Sequence, residues 1–328
     1  VVTVYGINAD GSRGSVVAGP FTTDEDGYWS SETALTGTGP FEVEALGGSY
    51  VDEATGETVT VGQTDGLLGV VESASSGQKI AVTPYTHALN LAMKDLVTRQ
   101  GMSVALATER MLGSAQTAYG FDVTATLPST ASNATTSQKG YQTMLGGISM
   151  MINNHSGLAT MALTGRFEVV KAVAADLADG VLNGEDAAGN TLQVNGSDLP
   201  AVDENGLSQL DNETNTYASN QGLPTASINS SSLQSICYGD SDINTPLKMT
   251  IEDDGWFRLN TEGSVSYARY GEFCMNREGY IVDPNGKRLQ GYPADGNGVI
   301  NQSSPVDIVI PSENGEHSLV DIEVDLDG

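Results

Sequence analysis

A reactive centre in this chain would have to be assembled from three histidines (His87, His155, His317), two cysteines (Cys237, Cys274) and a scatter of neighbouring carboxylates. No histidine lies in an HExxH frame or has a second histidine at i+4, so zinc has no ligand frame. Gly239-Asp240-Ser241 has the look of a hydrolase nucleophile block. That chemistry needs an Asp-x-x-His near the end of the chain, and His317 has Asn314 at that place, so base and orienter are not paired. The pairs Asp24/Asp26, Asp52/Glu53 and Asp253/Asp254 arise by chance in a chain with 42 acidic residues and do not by themselves make an acid–base couple. Asp24 and Asp26, in Asp24-Glu25-Asp26-Gly27, are candidate Ca²⁺ ligands. No Glu at position twelve completes an EF-hand loop, and a turn held by Asp side chains is the simpler account. No other cofactor is expected. These residues read as non-enzymatic.

Charge and composition narrow the class. The formal net charge is −28, from 42 acidic and 14 basic residues, a field that repels phosphate backbones and anionic headgroups. Nucleic acid is therefore not an expected partner. No apolar run approaches the ~20 residues of a transmembrane helix. Aromatic residues are 6% and glycines number 39, a mixture that suits β-rich extracellular modules joined by exposed loops. Cys237 and Cys274 are too far apart for a CxxC site, and in an exported, acidic chain they are expected to form one disulfide. The N-terminus opens directly on strand-like residues, so the numbering is expected to start downstream of any export signal.

The elements that would position these residues change character along the chain. Over 1–82, short runs such as Val2–Ile7, Phe41–Leu46, Thr58–Val61 and Lys79–Val82 alternate with Gly- and Asp-rich turns, and predict a small β-sandwich. Thr83 followed by Pro84 is a helix start, and Ser103 is a second. Apolar residues then recur at helical spacing to Gly180, predicting a small bundle of four helices over 83–180, with Met144–Met151 as core filler. The Asp-, Asn-, Gly- and Ser-rich stretch 181–235 reads as an extended, loop-rich linker. From 236 to 328 strands return, and Asp283-Pro284-Asn285-Gly286 supplies the fixed and positive φ values of a hairpin turn. The fold class is multidomain α+β.

Two family resemblances attach to these segments. VTVYGINADGSRGSVVAGPFTTDEDGYWS, from Val2 to Ser30, resembles the carboxypeptidase-regulatory-like or transthyretin-like surface module, whose pattern is a strand, a small-residue loop and Thr-Asp-x-x-Gly-x-aromatic. In that family an earlier strand comes first, which implies that another strand could be supplied beside Val2–Ile7 from elsewhere. The C-terminal pattern is more specific. Gly255-Trp256-Phe257, then Tyr267, Arg269, Gly271 and Phe273, then Gly279-Tyr280, Val282, Gly286, Leu289 and Gly291 resemble the core segment of the bacterial flagellar hook and rod proteins. Ile308–Pro311 and Val320–Leu326 extend the likeness. Cys274 inside the matched strand is a departure from that family, as is the lack of heptad helices at the two ends.

The resemblance implies a non-enzymatic structural subunit of an extracellular appendage, filament or envelope-anchored assembly. It would self-associate as a homo-oligomer or polymer through β-rich surfaces, with strand complementation as one route, and meet other envelope or surface proteins. The expected place is the outside of a Gram-negative cell. The rival reading is a monomeric surface lipoprotein or binding module for polysaccharide or peptide, using Tyr28, Trp29 and Trp256 as stacking platforms.

Overall fold

The computed structural model describes residues 1–25, 27–31, 39–73, 75, 78–100, 102–203, 206–234, 247–251, 255–261, 264–275, 279–283, 287–293, 300 and 304–310. The chain is mixed α+β, as its patterning indicates, and divides into two compact units. One comprises Val1–Arg99 with Ser103–Leu233, the other Gln100–Met102 with Gln234–Gly328.

In the N-terminal unit, strands β1 (Val2–Ile7), β2 (Arg13–Phe21), β3 (Phe41–Val51) and β4 (Thr58–Val71) form one antiparallel sheet in the order β2-β1-β3-β4. One face carries Val2, Val4, Phe41, Val43 and Val71, covered by Trp29, Ile80 and Val82 from irregular segments. The other face carries Glu42 and Glu44. A second sheet, as in the expected sandwich, does not close that face among the described residues. Helix α1 (Pro84–Gln100) meets it instead. The physical reason lies in β3 itself: acids at alternate positions need cations, and an apolar sheet could not supply them.

Four helices follow the sequence signals closely. Thr83 caps α1, its hydroxyl accepting the Thr86 N–H at 3.3 Å. Ser103 caps α2 (Val104–Tyr119), which ends on Gly120 at φ 76°. A reciprocal Thr135/Gln138 capping box starts α3 (Thr136–Asn154). Helix α4 (Ser156–Asp176) is interrupted by extended backbone at Gly165.

The segment expected to be a linker is built more fully. It carries a two-strand hairpin, β5 (Gln193–Val194) and β6 (Ser197–Asp198), then α5 (Ser208–Gln221) and the single turn α6 (Ser230–Gln234). Helix α5 lies so close to α3 that a Cβ on Gly146 or Gly147 would fall on the Tyr217 ring or the Thr214 side chain. Only glycine permits that approach. The compact unit of Val1–Arg99 with Ser103–Leu233 runs across the expected boundaries at 82/83 and 180/181.

The C-terminal unit contains β7 (Leu247–Thr250), β8 (Phe257–Thr261), β9 (Ser264–Ala268), β10 (Tyr270–Met275), β11 (Ile281–Val282), β12 (Arg288–Gly291) and β13 (Val306–Asp307). All pairings are antiparallel, in the order β7-β10-β11-β12-β8-β9, with β13 on β12. Leu259, Phe273, Met275, Ile281 and Leu289 form its core. The expected hairpin joins β11 to β12: Asp283 N–H donates to Lys287 O, and Lys287 N–H donates to the Asp283 carboxylate at 2.8 Å. Pro284–Gly286 lie outside the described residues.

Candidate assembly surface

Strand alternation sets the outer face of the C-terminal sheet. Phe257 and Leu259 point into the core, so Arg258 and Asn260 point out. Register then places Tyr267 opposite Arg258, Val265 opposite Asn260, Arg288 opposite Asn260, Gln290 opposite Arg258, and Asp307 opposite Gln290. These side chains join across three strands. Arg258 Nε donates to Gln290 Oε1 at 2.7 Å, and Gln290 Nε2 donates to Asp307 Oδ1 at 2.7 Å. Asp307 also receives Asn260 Nδ2 at 3.1 Å and Arg288 Nη1 at 3.3 Å. The Arg288 guanidinium lies 3.9 Å over the Tyr280 ring, and that of Arg269 lies 5.6 Å over Trp256.

Around this polar network stand large side chains with half their surface in solvent: Trp256 and Tyr267 at 59%, Tyr270 at 54% and Tyr292 at 52%. Trp, Tyr and Arg on a rigid sheet are the residue types that dominate protein interfaces, because each buries much area for few rotatable bonds. The sequence names Trp256 as a stacking platform of the rival reading and does not foresee the tyrosines and arginines gathered on the same sheet. Trp256 immediately precedes β8, on the side opposite Phe257.

The remaining singled-out residues are dispersed. Asp24 Oδ1 accepts the Tyr28 N–H at 2.8 Å, so its carboxylate holds a turn. Asp26 lies outside the described residues; among the described residues, no group of three or more His, Cys, Asp and Glu is arranged around a metal position. Cys274 is on β10, paired with Val282, whereas Cys237 lies outside the described residues, as do Gly239-Asp240-Ser241, His317 and Asp253/Asp254. His155 caps α4 through Nδ1. Tyr28 is half exposed, while Trp29 stacks on Phe21 at 5.4 Å.

The N-terminal unit contains polar clusters that motif reading misses. Glu42, with its side chain wholly buried, receives Lys94 Nζ at 2.5 Å and Arg13 Nε at 2.6 Å, and Arg13 also reaches Glu44 at 2.7 Å. Burial pushes the Glu42 pKa up, but the two cations more than offset it and hold it below the usual carboxylate range. Asp52 pairs in bidentate fashion with Arg166, at 2.5 and 3.0 Å, tying the β3–β4 tip to α4. Beside it, burial and the Asp52 charge push Glu53 up to about 7. No local sequence pattern marks these clusters, because their partners are far apart in the chain: Glu42 and Lys94 are separated by 52 residues, and Asp52 and Arg166 by 114.

The face just described belongs to an antiparallel, β-rich module. Residues 250–328 match the family model of the flagellar hook protein FlgE/F/G D1 domain, so the C-terminal region is similar to that domain. The flagellar hook proteins FlgE of Salmonella typhimurium (strain LT2) and of Escherichia coli (strain K12) are each 38% identical over 69 residues. That stretch is 20% of this chain and 17% of theirs, so the chain spans under a fifth of the length of these curated relatives. No solved structure matches the chain.

Proposed function

We propose that this chain is an exported, non-enzymatic structural subunit of an extracellular appendage, and that copies associate through the outer face of the C-terminal sheet. The hook-domain match coincides with the unit whose outer face presents Trp256, Tyr267, Tyr270 and the Arg258–Asp307 network. The N-terminal unit, in which residues 2–30 resemble the carboxypeptidase-regulatory-like surface module, is carried by the assembly and exposed outside the cell. Strand complementation is a finer form of this reading. Since β1 already has β2 and β3 as neighbours, an added strand would join at the edge strand β2.

The test is sedimentation velocity of the full chain over a concentration series, with electron microscopy of the concentrated sample. Concentration-dependent association is expected, weakened in a Trp256→Ala/Tyr267→Ala double variant whose melting temperature is unchanged. A folded chain that stays monomeric at every concentration would refute the proposal. The exposed aromatics also fit a monomeric module that stacks polysaccharide or peptide, and that reading predicts ligand binding without association.

A further inference from the structure

We propose that the seam between α1 and β4 is a proton-operated latch: neutral His87 holds the outer edge of β4 closed, and protonated His87 releases it. This inference concerns the N-terminal unit and does not depend on the assembly reading. Leu68 lies opposite Glu44 on β3, and both its N–H and its C=O are met by α1 instead of by another strand. His87 Nδ1 accepts the Leu68 N–H at 3.0 Å, and the Thr86 hydroxyl donates to Leu68 O at 3.3 Å. One turn on, Asn90 Nδ2 donates to Gly69 O at 3.4 Å. Adjacent residues of a helix thus stand in for the missing neighbour of an edge strand, which would otherwise present unpaired backbone groups.

The device is sensitive to protons because Nδ1 can accept only while it carries none. A protonated imidazole would point an N–H at the Leu68 N–H. The charged groups facing His87 are Lys94 on α1, Lys171 on α4 and Glu42 on β3, and Glu42 is itself engaged by Lys94 and Arg13. Burial is the chief cause that pushes the imidazole down to about 4, with both lysines adding to it and Glu42 opposing. The unfolded chain takes up this proton first, near 6.5. The contribution of His87 to stability is therefore complete above that pH and is lost as pH falls through about 4.

Hydrogen exchange of the Leu68 amide in the full chain, with intrinsic rates divided out, tests the latch. Protection at Leu68 should fall by ~10-fold or more as His87 titrates, while Val43 on the inner strand stays protected. His87→Gln, which has no titrating group, should keep Leu68 protection flat. If that variant does not fold, the imidazole chemical shift of the unaltered chain must move together with Leu68 protection. Unchanged Leu68 protection through the titration would overturn the latch. So would the same acid loss in His87→Gln, which would assign the response to Glu42.

Discussion

Replacing Arg166 with methionine should destabilise the N-terminal unit by ~3 kcal/mol, the low end of what breaking a buried ion pair costs. Asp52 is 1% exposed and loses both guanidinium contacts, at 2.5 and 3.0 Å. It keeps three local donors, the N–H groups of Ala54 and Thr55 and the Thr55 hydroxyl, at 2.9–3.1 Å. Those donors go on solvating the carboxylate, which is why the upper end of the range is not expected. The unit can be followed separately because the chain has two tryptophans, and Trp29 lies in the N-terminal unit while Trp256 lies in the other. Urea unfolding monitored by Trp29 fluorescence in a Trp256→Phe background reads the loss. Asp52→Asn combined with Arg166→Met should cost less than the sum of the two single changes, by ~1–3 kcal/mol of coupling. A loss below ~1 kcal/mol for Arg166→Met, or strict additivity in the cycle, would show that the pair does not fasten the β3–β4 tip.

Glu53 gives a pH prediction of opposite sign to His87. Its folded pKa of about 7 lies above the ordinary 4.5, so its contribution is complete below 4.5 and is lost as pH rises through about 7, by at most ~3 kcal/mol. The difference in urea midpoint between the unaltered chain and Glu53→Gln should therefore widen with pH across that window. Gly147→Ala should destabilise by ~1–3 kcal/mol despite alanine's better helix propensity, because its Cβ meets Thr214, whereas Gly113→Ala, with nothing within 4 Å, should stabilise by up to ~1 kcal/mol. Thermal unfolding separates these two variants. Melting temperature in Ca²⁺ against EDTA should not shift if Asp24 serves only its turn. Alkylation of the native chain should label neither Cys237 nor Cys274 if they are joined.

What could be read from the sequence followed from how local each signal is. Thr83-Pro84, Ser103 and Gly120 mark helix ends because caps are decided by the residue at the end itself. The C-terminal module was legible for a related reason: glycines and aromatics at fixed offsets in paired strands leave a pattern that survives without coordinates. Helix α5 was not legible. SQLDNETNTYASNQ is polar, and it buries only Leu210, Thr214, Tyr217 and Ala218. What holds it is the pair Gly146 and Gly147 on another helix, a relation that no window of sequence contains.

The sheet shows the same limit in its electrostatics. Phe41-Glu42-Val43-Glu44-Ala45 alternates like a strand with one face in water, yet Glu42 and Glu44 are buried. Periodicity reports only that the two faces differ. Whether the polar face meets solvent depends on cations arriving from distant positions, here Arg13 on β2 and Lys94 on α1. The same stripe of α1 carries Thr86, His87 and Asn90 to the edge of β4, so hydrogen bonds fix the register of a helix whose apolar side chains Leu89, Met93 and Leu96 are also buried. Polar groups placed this way demand one register, since a shift of α1 by one residue would leave Glu42 buried without Lys94. That dependence makes the N-terminal unit a single body in which sheet and helices cannot be separated, whatever their composition suggests.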